Sequence, residues 1–108
     1  MELCVCYVTC GSKEEALRIA HALLERRLVA CANILDGMTS VYRWEGEIHT
    51  DPEVLLLLKT RRDLTPGVIR TVVELHSYAC PCVTVLPIVD GHRDYLAWIG
   101  EETEGAHI

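Results

Sequence analysis

The 108-residue chain is one domain's worth of protein, half of it apolar, with 10 Lys+Arg against 16 Asp+Glu and a formal charge of −6. That balance argues against a general nucleic-acid binder, which needs a basic face to displace counterions, and favours cationic partners. Met1–Val5 lacks the basic region of a secretory leader, and the longest aliphatic run, Val54–Leu58, is far below the roughly 20 residues that span a bilayer; a cytoplasmic protein without membrane contact is expected.

Leu3 to Thr9, rich in Val, Cys and Tyr and closed by Gly11, reads as a strand. Ser12 followed three residues later by Glu15 has the capping-box pattern. Ala16, Leu17, Ala20, Leu23 and Leu24 then recur at helical spacing opposite Glu14, Arg18, His21 and Glu25, so a helix is expected over about 13–27. Leu28 to Leu35 reads as a second strand ended by Asp36-Gly37. Ser40 to Trp44 and the turn Glu45-Gly46 before Ile48 suggest a long β-ribbon arm, with Asp51-Pro52 breaking the chain. Val54 to Thr60 is a third strand.

Thr65-Pro66 forms a cap followed by a residue with no amide to lose, and Val68, Ile69, Val72, Val73 and Leu75 continue at helical spacing despite their β-branching. Cys82 to Val89 is a strand in which Pro87 marks an edge or a bulge. After Asp90-Gly91 a short helix covers Tyr95–Ile99, and the acidic tail from Gly100 to residue 108 is expected to fray.

The order β-α-β-(β-arm)-β-α-β-α is the split βαβ, ferredoxin-like pattern of an α/β (α+β) fold with an extra C-terminal helix, here a single domain over residues 1–108. Its main helices cover one sheet face, so strands of a monomer should alternate apolar and polar. These do not: Leu3, Val5 and Tyr7 oppose Cys4, Cys6 and Val8, and Leu55 and Leu57 oppose Val54, Leu56 and Leu58. A contiguous apolar face of that size implies self-association, unless the C-terminal helix covers it alone.

Several ordered motifs resemble those of the CutA family of divalent-cation tolerance proteins: Arg27–Ile34, Ser40–Ile48, Leu58-Lys59-Thr60, Glu74–Tyr78, and Leu86–Val89 with Gly91, Tyr95, Leu96 and Trp98. The resemblance runs from about residue 3 to 103. It implies a homotrimer kindred in shape to PII-like trimers, binding of divalent cations and copper in particular, no established catalysis and no organic cofactor. Cys10 and His76 match positions that bacterial members associate with copper. The family's His-Pro-Tyr-x-x-Pro-Glu segment reads here His76-Ser77-Tyr78-Ala79-Cys80-Pro81-Cys82, so Ser77 replaces a proline and Cys82 a carboxylate.

The six cysteines, at 4, 6, 10, 31, 80 and 82, read as reduced thiols in so apolar a chain. In a ferredoxin-like sheet the first and last strands are neighbours, which brings Cys10 toward Cys80, Cys82 and the helix-terminal His76. Thiolate and imidazole suit Cu(I) or Zn²⁺ rather than Mg²⁺ or Ca²⁺. The plain structural alternative is that the thiols are small buried hydrophobes. Tyr42, Trp44, Lys59 and Tyr78 are candidates for a cleft between subunits, where Lys59 would meet an anion; packing of the arm is the alternative for the aromatics. A PII-like sensor of small anions or a scaffold for protein partners is the second functional reading. No nucleophile–base set supports an enzyme, since Ser12 and Thr65 are explained as helix caps.

Overall fold

The computed structural model describes residues 2–106. The elements are β1 (Leu3–Cys10), α1 (Lys13–Glu25), β2 (Cys31–Trp44), β3 (Glu47–Arg61), a 3₁₀ turn (Arg62–Leu64), α2 (Thr65–Leu75), β4 (Val83–Pro87) and α3 (Arg93–Glu102). The strands form one sheet in the order β2-β3-β1-β4, and every neighbouring pair is antiparallel. This is the expected ferredoxin-like architecture. β4 lies at an edge, as Pro87 suggested, and is shorter than the expected Cys82–Val89.

One face of the sheet carries the main core. Cys6, Val8 and Cys10 of β1 and Leu56 and Leu58 of β3 are fully buried against Ile19 and Leu23 of α1 and Val68 and Val72 of α2. The apolar stripe of α1 includes Ile19, while Leu17 and Leu24 face outward more than their spacing implied. In α2 the β-branched residues are helical because burial of Val68 and Val72 outweighs a local propensity cost of a few tenths of a kcal/mol each. The opposite face is only partly covered. α3 packs Ile99 against Leu3 and Ala30 at one end, while Val5, Tyr7, Leu55 and Leu57 stay half-buried and Leu35 is 64 % exposed.

The arm differs from expectation in being continuous. Asp36-Gly37 does not end β2: the two residues form a bulge opposite Val54, between the Leu35–Leu55 and Met38–Glu53 pairs, with Gly37 at φ +86°. Asp51-Pro52 does not break β3 either. Pro52 pairs with Thr39 beyond the stretch covered by β1, where no third strand depends on its missing amide. At the tip, Glu45 (φ +50°) and Gly46 (φ +81°) make a two-residue hairpin turn with both central residues left-handed, matching the strand twist. The ribbon gives the molecule its 44 Å long axis.

Three terminal details also differ. Thr65 is not the cap of α2; it lies inside the first turn and its hydroxyl donates to the Arg62 carbonyl at 2.9 Å. Helix α3 runs from Arg93 to Glu102, and Thr103 is fully buried with its hydroxyl donating to the Ile99 carbonyl at 2.9 Å. Arg27 Nε holds the Glu104 carbonyl at 2.8 Å. Packing therefore replaces fraying to residue 106, and the rest of the expected tail lies outside the described residues.

Candidate metal centre

The end of β1, the first turn of α1 and the end of α2 meet in one buried cluster. Ser12 caps α1 by accepting the Glu15 amide at 3.2 Å, the expected half of the capping box. The other half is diverted. Instead of returning to Ser12, the Glu15 carboxylate accepts from the Gly11 amide (3.2 Å) and, across the fold, from the Ser77 amide (2.9 Å). The cap thus leaves Glu15 as a buried carboxylate, 7 % exposed, between two chain segments.

His76 ends α2 with its side chain fully enclosed. The Tyr78 amide donates to Nδ1 at 3.1 Å, so Nδ1 is the acceptor and Nε2 carries the proton that it gives to the Thr9 carbonyl at 2.7 Å. Both ring nitrogens are engaged in a neutral imidazole, whose Nδ1 lies 4.0 Å from Glu15 Oε1. Cys10 completes the group: one ligand atom each from Cys10, Glu15 and His76 lie within 4.8 Å of one another.

Burial is the main influence on two of these groups. It pushes the Cys10 thiol up to about 12, reinforced by the Glu15 and Glu53 charges and opposed by Arg18. Burial also acts to raise Glu15, but hydrogen bonds from Ser77 and Gly11 outweigh it and hold the carboxyl below its usual range. Arg18 adds a partner to Glu15 at 3.6 Å.

Thiol, imidazole and carboxylate form a donor set that fits a soft or borderline transition-metal ion. Loading it would require Cys10 to lose its proton and His76 to exchange a hydrogen bond for the ion. The same groups already serve as a structural tie.

Of the residues singled out from the sequence, Cys10 and His76 come together, whereas Cys80 and Cys82 are not in their cluster. Cys80 is exposed and Cys82 half-buried on the segment between α2 and β4. They line a groove of about 880 Å³ between this segment and the arm, together with Tyr42, Trp44, Tyr78 and Glu53. Two hydrogen bonds shape its wall: Tyr78 donates to Glu53 at 2.8 Å and Tyr42 to Asp51 at 2.6 Å. Tyr78 also passes over Gly11, where an added Cβ would lie 3.2 Å from its hydroxyl. Lys59 is elsewhere, on the face shared with α3, donating to Tyr95 OH at 3.2 Å.

Glu15 is the cluster residue that sequence reasoning missed. Its role as a capping residue accounted for it fully, and only the meeting of α1 with the segment after α2 reveals the second partner. All six cysteines are free thiols.

A family model described as CutA1 divalent ion tolerance protein matches residues 4–102. The "Divalent-cation tolerance protein CutA" of Thermus thermophilus is 48 % identical over 99 residues, covering 92 % of this chain and 96 % of the relative. The mouse "Protein CutA" is 40 % identical over 98 residues; these span 91 % of this chain but only 55 % of the mouse protein. Among solved structures, that of CutA1 from Oryza sativa superposes with a TM-score of 0.93 at 40 % identity, covering 98 % of this chain and 97 % of the other.

Proposed function

The chain belongs to the CutA1 divalent ion tolerance family, and we propose that it acts as a homotrimer that binds copper or another soft metal ion and contributes to the response to metal ions. It is a binding protein of the cytoplasm and not an enzyme in this reading. The observation that carries the metal function is the convergence of Cys10, Glu15 and His76 at the junction of three elements. Elemental analysis of tag-free protein, followed by Cu(I) and Zn²⁺ titration against a chelator, tests it. A protein that purifies metal-free and competes for neither ion overturns the reading.

Assembly is supported by the uncovered sheet face. Tyr7, Leu55 and Leu57 remain half-open because α3 reaches only the Leu3 end of that face, and Val41, Trp44 and Ile48 leave the arm apolar and exposed. Burying such surface is worth about 25 cal/mol per Å² before association costs. Native mass decides it, with three times the 12.1 kDa chain as the expected value.

The alternative of a sensor for small anions has less support. The groove beside the arm carries the carboxylates of Asp51 and Glu53, while Lys59, the cation invoked for an anion, faces Tyr95 instead.

A further inference from the structure

Independently of the metal reading, we propose that the groove between the arm and residues 78–82 binds an organic cation, an ammonium or amidinium group carried on an apolar or aromatic stem. Alternation along the arm sets the chemistry of the groove. Asp51 and Glu53, two residues apart on β3, share one face of the ribbon. Tyr42 and Trp44 of β2 fall on that same face, because they pair with His49 and Glu47. Tyr78 forms the opposite wall. It lies over Gly11, whose missing side chain leaves room for the ring to reach Glu53. These residues line about 880 Å³, inside the range of about 300–1,000 Å³ usual for small-ligand sites.

Charge selects the class of occupant. Among the described residues, no Lys, Arg or His lines the groove, and neither Asp51 nor Glu53 takes part in a salt bridge. Their side-chain partners are phenols: Tyr42 donates to Asp51 Oδ2 and Tyr78 to Glu53 Oε2. Each bond engages one carboxylate oxygen, leaves the negative charge uncompensated and keeps the other oxygen open to a donor. The same bonds hold the rings of Tyr42 and Tyr78 in place as walls. With Trp44 they supply aromatic faces that attract a cation, while Val41, Pro52 and Ala79 offer apolar surface to the stem. The net charge of −6 adds long-range attraction. An anion would be repelled by two carboxylates, and a neutral solute would leave them unanswered. A bare divalent ion would gain nothing from the aromatic walls, and the three-ligand cluster lies elsewhere, at Cys10, Glu15 and His76.

The test is calorimetric titration at low salt with phenethylammonium and benzamidinium, and with 2-phenylethanol as the uncharged counterpart of the first. Wild type should bind the cations at least about tenfold more tightly than the alcohol, from charge-assisted hydrogen bonds and cation–π attraction together. That preference should shrink as salt is added, a readout that needs no variant. Asp51→Asn with Glu53→Gln keeps acceptors for both phenols but removes the charge, and should bring cation and alcohol within about twofold of each other. Asp63→Asn, which removes an exposed charge outside the groove, should leave the preference intact. Native mass and circular dichroism check each variant. Cations that bind no better than the alcohol, or a preference that survives the double variant, overturn the proposal. If neither cation binds wild type, the proposal also falls and the groove is left as a contact for a second copy of the chain. The metal reading stands in every case, since it rests on Cys10, Glu15 and His76.

Discussion

The Ser77 amide donates to Glu15 Oε2 at 2.9 Å across 62 positions of sequence, tying the first turn of α1 to the segment that follows α2. With the Gly11 amide on Oε1, one buried carboxylate satisfies donors from two loops, and neither would easily find water in its place.

Replacing Glu15 with Ala should therefore destabilise the fold by about 3 kcal/mol, the combined worth of two charge-assisted hydrogen bonds. The pH dependence has a definite sign. The folded carboxyl titrates below its unfolded value of about 4.3, so its contribution is complete above that pH and fades as the pH falls through the lowered folded value. Urea melts of wild type and Glu15→Ala should differ most near neutrality and converge in acid. A gap independent of pH would refute the assignment.

His76→Phe fills similar space but leaves the Thr9 carbonyl and Tyr78 amide without partners. Two unsatisfied backbone groups should cost about 2–4 kcal/mol. The urea midpoint should fall with the slope unchanged, whereas a neutral outcome would mean that water reaches both groups.

Burial raises the Cys6 and Cys10 thiols to about 12 in the folded chain, well above the roughly 8.5 of a free cysteine. Folded protein at pH 8 should thus alkylate at exposed Cys80 at least ~10³-fold faster than at Cys10, read by intact and peptide mass. The same shift makes the fold lose stability as pH rises above about 8.5, because the unfolded thiols release protons that the folded ones keep.

On the uncovered sheet face, Leu57→Asp introduces a charge beside Tyr7, its partner across the β1–β3 pair. Sedimentation should shift from the proposed homotrimer toward the single 12.1 kDa chain or to aggregate. Retention of the full assembly would show that this face is not the contact.

At the arm tip, Gly46 sits at φ +81° with nothing within 4 Å of an added Cβ. Gly46→Val should cost about 1–2 kcal/mol through backbone strain alone. Amide exchange should quicken from Met38 to Glu53 while the β1–β3 core stays protected, which separates a local opening from global destabilisation.

The fold was largely legible because periodicity and punctuation agree. Ser12 starts α1 as its pattern implies, and Glu45-Gly46 turns the arm. Misreadings arose where a residue with breaking tendencies met a permissive context: Gly37 in a bulge, Pro52 on an open edge, Thr65 already inside a helix that begins from the 3₁₀ turn. Spacing carried Cys10 and His76 into one site through strand adjacency, but it carried Cys80 and Cys82 too far. β4 begins only at Val83, opposite Val8, so the preceding residues turn aside into the groove. No local pattern distinguishes a glutamate that caps a helix from one that also reaches a loop 62 positions away.

The rim formed by β2 extends for 14 residues at the outside of the sheet. Left bare, such a rim is a template onto which further copies can add strand by strand, a route to fibres. If the proposed homotrimer covers this rim, dilution that separates its chains would open it to irreversible stacking, making the ribbon edge the place where misassembly would begin.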